Sequence, residues 1–169
     1  VLDTAGVEGR RQGRSLYGDI RYSYGPLAPH VNALLYRAFG VRVSTLFGAG
    51  IAAAVLTALV VLALSRRILS ESLAALTALA FLYLLAFANY NWAGIFNFVM
   101  PYTFASTYGV LLALLSVYFL IRYREEGKER HLLLSCLLLG LTMLAKQEIA
   151  LALLLTHLLA LLLPGPPSP

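Results

Sequence analysis

Residues 131–163 read HLLLSCLLLGLTMLAKQEIALALLLTHLLALLL, an apolar stretch whose only Lys and Glu are Lys146 and Glu148. As one straight helix it would run about 50 Å at 1.5 Å per residue, against a hydrocarbon layer of about 30 Å. It would also leave Lys146 and Glu148 near its middle, where an ionisable residue costs at least about 2.5 kcal/mol. Two short helices meeting near Lys146, with AKQE at their tip, avoid that cost. The stretch therefore predicts a hairpin whose tip lies at a membrane surface.

The remainder of the chain supports the same solvent. Hydrophobic residues make up 60% of 169 and charged residues 12%, with a mean hydropathy of +0.78, a balance that excludes a water-soluble globule. Further apolar runs of spanning length occupy 43–64, 68–88 and about 103–121. With the hairpin they make about five spans, so the predicted fold class is all-α: a polytopic transmembrane helix bundle over 43–163. Residues 1–42 form a loop outside it and PGPPSP, 164–169, a tail. Cys136 stands alone in a Leu-rich span, where one thiol makes neither a disulfide framework nor a zinc site.

Orientation follows from the short loops. Arg66, Arg67, Arg122, Arg124, Lys128 and Arg130 fall on one side and Lys146 on the other, which places the first set in the cytoplasm. Residues 1–42 are then extracytoplasmic although they carry Arg10, Arg11, Arg14, Arg21, Arg37 and Arg42. Arginines kept outside against the usual bias point to an anionic ligand. The net charge of +5 accordingly predicts lipid headgroups or phosphates as partners, not nucleic acid. No apolar run follows the basic residues of VLDTAGVEGRRQGR as in a signal peptide, and the expectation is that another transmembrane helix precedes this loop.

Within the loop, YSYGPLAP (22–29) reads as extended or turning backbone, since two prolines and a glycine oppose a helix. Behind it, PHVNALLYRAF (29–39) places Val31, Leu34, Leu35, Ala38 and Phe39 on one helical face, with His30, Asn32 and Arg37 off it. Pro29 suits the helix start and Gly40 its stop. This predicts a short helix lying in the membrane interface.

GRSLYGDIRYSYGPLAPHVNALLYRAFGV (13–41), followed by an apolar helix ending in SRR and later by GLTMLAKQE (140–148), resembles the polytopic glycosyltransferases of the GT-C superfamily. The similarity is to the protein-mannosyltransferase and lipid A aminoarabinose-transferase-like groups, and it covers about residues 13–163. It implies transfer of a sugar from a polyprenyl-phosphate donor to a glycan, lipid or protein acceptor on the outer face of a bacterial or archaeal plasma membrane, with inversion. Such chemistry needs a carboxylate to take the acceptor's proton and a cation for the departing lipid phosphate. By position the resemblance implies Asp3 or Glu8 as the base, with Asp19 as a second catalytic carboxylate. Lys146 is the phosphate candidate, against a bland reading in which it snorkels or pairs with Glu148. Arg21, Tyr22, Tyr24, Arg37 and Glu148 complete the candidate donor-binding set.

FANYNWAGIFNFVMPYTFASTYG (87–109) is an aromatic belt, or else a cavity lining in which Asn97 and Tyr102 meet a sugar or prenyl chain. His157 has no partner at ligand spacing, so the expectation is no metal and no cofactor. A transporter or flippase subunit is the alternative function, and it would show internal repeats and paired interrupted helices.

Overall fold

The computed structural model of the chain describes residues 23–87, 97–99 and 103–163. Asp3, Glu8, Asp19, Arg21, Tyr22 and Tyr102 lie outside the described residues. Among those described, all regular structure is helical: α1 (Leu27–Phe39), α2 (Val43–Ser65), α3 (Glu71–Ala80, continued by a π-helical turn, Phe81–Ala86), α4 (Phe104–Glu126), α5 (Glu129–Ala145) and α6 (Gln147–Leu162). This is the all-α membrane bundle that hydropathy predicts. Two helices, α2 and α4, have 23 residues each and are long and apolar enough to cross a membrane; Glu71–Ala86 and α6 are shorter apolar helices.

The break falls at the residue whose charge called for it. Lys146 alone has extended backbone (φ −151°, ψ 113°) between α5 and α6. Its N–H closes α5 on the Thr142 carbonyl at 2.8 Å, while its own carbonyl accepts from Ala150 at 3.2 Å. The two helices then fold back on each other, with Ser135 of α5 meeting His157 of α6 at 2.7 Å. α4 packs against both. Ser116 Oγ donates to the Ser135 carbonyl and Ser135 Oγ to the Ser116 carbonyl, each at 2.7 Å, while His157 Nδ1 reaches the Leu153 carbonyl at 2.8 Å. His157 is 3% exposed and is a satisfied core residue. Small serines let the helices approach closely, and their hydroxyls join the helices where water is absent.

Charged residues collect at one end of the bundle. Arg67, after α2, pairs with Glu125 near the end of α4 and stacks on Tyr118 with its guanidinium 5.1 Å from the ring centre. The hydrogen bond to Glu125 pushes the Arg67 guanidinium still further above its ordinary high value. Arg122 pairs with Glu126, which Lys128 also reaches at 2.7 Å. Arg124 donates to the Ala160 and Leu163 carbonyls at the end of α6. The α2–α3 and α4–α5 connections thus share one basic rim, as the loop charges predict. α4 outruns the predicted 103–121 because these long side chains carry it to that rim.

One expectation about α1 fails. The stretch read as extended enters the helix at Leu27, with Pro26 at its N-cap and Pro29 its third residue. The first N–H groups of a helix have no intrahelical partner, so proline there removes nothing. The end is as predicted: Gly40, at φ 86°, takes a positive φ favoured by glycine and donates to the Tyr36 carbonyl at 3.0 Å. The predicted grouping of faces holds only in part, since Asn32 alone of the three polar residues turns from the exposed side. Ala28, Pro29, Asn32 and Tyr36 are buried against the bundle, whereas Leu34 (63% exposed) and Phe39 (70%) lie on its outside, and His30 and Arg37 are exposed as well.

Candidate functional site

At the end opposite the basic rim, three pieces of chain converge on the α5–α6 tip. Gly25 donates its N–H to the Ala145 carbonyl at 3.3 Å, so the segment leading into α1 is tied to the tip. α4 begins at Thr103, whose hydroxyl accepts the Ala105 N–H at 3.2 Å, an N-cap that starts the helix beside the tip. Ala28, Phe104 and Ala105 form a buried cluster joined by Tyr24, Leu46, Ala49 and Tyr108.

Lys146 projects into this junction. Its ammonium donates to Ser106 Oγ at 2.8 Å and sits 5.4 Å from the centre of the Tyr24 ring. Glu148 is exposed, and among the described residues the ion pairs involve Arg67, Arg122, Lys128 and His131, not Lys146. The pairing of Lys146 with Glu148 is therefore not what this structure shows. An ammonium has three N–H donors, of which a neutral hydroxyl takes one and an aromatic face steadies the charge. The group is half-buried and, among the described residues, has no carboxylate beside it, so it keeps N–H donors of the kind an anionic oxygen accepts.

A second polar contact pins α1 in place. Asn32 is fully buried; its Oδ1 accepts the Tyr108 hydroxyl at 2.8 Å, while its Nδ2 is buried without a hydrogen-bond partner. The pair joins α1 to α4 across 76 residues of sequence. Tyr108→Phe would strand Asn32 Oδ1 beside the Nδ2 that already lacks a partner, at about 1–3 kcal/mol for the newly unsatisfied group. Asn32→Leu would remove the bond that the Tyr108 hydroxyl makes to Oδ1, a loss on the scale of one hydrogen bond. Removing both partners together restores an apolar contact, so the double variant is expected to be more stable than Tyr108→Phe alone. Thermal unfolding of the four proteins in one detergent checks this, and simple additivity would contradict it.

Of the residues proposed from sequence, Tyr24 and Lys146 come together. Arg37 is exposed in the last turn of α1, about 15 Å along the axis from Leu27. Asn97 is half-buried, next to Phe98, which packs with Ala53, Ala54 and Ala86. Ser106 and Tyr108 had no place in the sequence reading. The sequence reading places Asn32 off the apolar face of α1, but nothing local names Tyr108 as its partner. Among the described residues no three His, Cys, Asp or Glu side chains gather as a metal site would need.

A family model described as dolichyl-phosphate-mannose-protein mannosyltransferase matches residues 23–166. Neither the curated proteins nor the solved structures gave a match.

Proposed function

The chain belongs to the dolichyl-phosphate-mannose-protein mannosyltransferase family, a membrane glycosyltransferase of the GT-C type, and on that premise we propose that it moves a sugar from a polyprenyl-phosphate donor to an extracytoplasmic acceptor. In this reading the chain is a multi-pass protein of a bacterial or archaeal plasma membrane, transfer inverts the anomeric carbon, and the acceptor is a glycan, lipid or protein. The observation that carries it is Lys146: a cation at a membrane-surface helix tip, hydrogen-bonded to neutral Ser106 and facing Tyr24.

Charge develops on the donor phosphate as the sugar–oxygen bond breaks, and Lys146 is the group that balances it. Ser106 and Tyr24 hold the ammonium in place beforehand, so no reorganisation is needed at the moment of reaction. On the other face of the sugar a carboxylate must accept the acceptor's proton as the oxocarbenium-like carbon is attacked. Asp3 or Glu8 takes that role, with Asp19 as a supporting carboxylate. Arg21 and Tyr22 join Tyr24 around the donor headgroup, and Asn97 with Tyr102 face the sugar or prenyl chain from the 87–109 loop.

The test is made in full-length protein with radiolabelled polyprenyl-phosphate sugars. Lys146→Ala is expected to raise the donor KM by about tenfold or more, a loss on the scale of one hydrogen bond to a charged group, and Lys146→Arg to recover part of it. Unchanged donor affinity removes the role assigned to Lys146. Asp3→Asn or Glu8→Gln is expected to stop turnover with donor binding retained; normal turnover in both overturns the base assignment.

A further inference from the structure

Beyond the transfer reaction, the outer surface where α1 meets α2 holds a groove of about 470 Å³, a volume typical of ligand sites. It is lined by Leu35 and Phe39 from α1, Arg42 from the connection, and Thr45, Gly48 and Ala52 from α2. The floor is open because its side chains are small: a Cβ built on Gly48 meets no atom within 4 Å, and Ala52 lies one turn further on. Apart from Arg42, Ser44 and Thr45 at one end, the lining is apolar and faces the outside of the bundle, where acyl chains lie.

The mouth is cationic. Arg42 is exposed and is the N-cap residue of α2, which no side chain caps, so the positive end of the helix dipole adds to its charge. The connection is fixed by Thr45 Oγ1 donating to the Gly40 carbonyl at 2.9 Å and by the Arg42 N–H on the same carbonyl at 3.0 Å. Residues 23–70 contain no Asp or Glu, and among the described residues no ion pair includes Arg42. A smaller groove between α2 and α4, about 210 Å³ and lined by Leu56, Leu59, Leu111, Leu115 and Tyr118 among others, is the useful contrast. The cations that touch its Tyr118, Arg67 and Arg122, are paired with Glu125 and Glu126.

We propose that the α1–α2 groove binds an anionic glycerophospholipid of the surrounding bilayer, one acyl chain lying over Gly48 and Ala52 and the phosphate on Arg42. The site is separate from the junction at Lys146: Tyr24 and Gly25 precede α1 and Arg42 follows it, and the 13 residues of α1 span about 20 Å. Such a lipid acts as a wedge, holding the far end of α1 against α2 while Gly25 holds its start and Asn32 its middle.

Native mass spectrometry of the full-length protein, titrated with phosphatidylglycerol or phosphatidylcholine of identical chains, tests this. Wild type is expected to retain phosphatidylglycerol in preference, and Arg42→Gln to weaken that retention by about fivefold, the worth of one Arg at a lipid surface. Gly48→Leu, whose Cβ meets no atom within 4 Å and whose longer side chain occupies the groove, should lower retention of both lipids at an unchanged Tm. Lys146→Ala should leave retention as it is. Equal retention of the two lipids, or an Arg42→Gln protein that binds like wild type, overturns the proposal. So does displacement of the phospholipid by polyprenyl phosphate, which would give the groove to the donor, or by inorganic phosphate, which would leave the acyl chain no part.

Discussion

Gly25→Val is expected to reduce sugar transfer by at least about a hundredfold while the α4–α5–α6 core stays assembled. A Cβ at this position would overlap the carbonyl oxygen and carbon of Leu144, with Ala145 N at 3.2 Å. These are backbone atoms at the end of α5 and cannot move aside as the tip of a flexible side chain can. The chain must therefore lift away, losing the Gly25 to Ala145 hydrogen bond and carrying Tyr24 off Lys146. The carboxylates proposed as base precede this contact in sequence, and displacements of about 1 Å can cost a hundredfold in rate. The interior contacts among Ser116, Ser135 and His157 do not involve Gly25, so helix content and Tm should change little. Gly140→Ala, where an added Cβ meets nothing within 4 Å, is the control. Turnover assayed beside thermal melting separates the outcomes, and normal turnover in Gly25→Val would refute the docking argument.

That contact also marks the limit of what could be read from sequence. The break at Lys146 was legible because hydrocarbon penalises charge, so a single Lys in an apolar run fixes where a helix must surface. The shared rim of Arg67 and Arg124 was legible for the same reason. The sequence reading places the start of α1 at Pro29, two residues late, because prolines oppose a helix interior but not its first turn, and α1 begins at Leu27. Tyr24 came out beside Lys146, whereas Ser106, which takes the Lys146 hydrogen bond, looked like any serine in an apolar helix. Asn32 with Tyr108, Gly25 with Leu144 and Gly50 with Phe98 are all distant in sequence. Two of the three rest on a missing side chain, and hydropathy carries no signal for an atom that is absent. The carboxylates Asp3, Glu8 and Asp19 fall outside the described residues, so their part of the site stays with the resemblance.

Gly50→Val is the corresponding prediction for stability, with an expected loss of about 3 kcal/mol or more. Gly50 lies two turns into α2, and a Cβ there would overlap the Phe98 carbonyl oxygen and come within 2.9 Å of Val99 Cα and its carbonyl oxygen. Residues 97–99 thus rest directly on the backbone of α2. Phe98 is buried among Ala53, Ala54 and Ala86, with its ring edge-on to Phe81 at 5.4 Å between centres, and its N–H donates to the Ala86 carbonyl at 3.0 Å. The π-helical turn Phe81–Ala86 brings Phe81 and Ala86 to that socket. A valine at position 50 forces the segment outward and empties the socket, at roughly the cost of truncating a buried phenylalanine. Phe98→Ala should match it, and because both changes undo the same contact, the double variant should lose little more than either single one. Unfolding in a graded detergent series measures all three. Full additivity would mean that Gly50 and Phe98 act independently, and that residues 97–99 are not held by the face of α2.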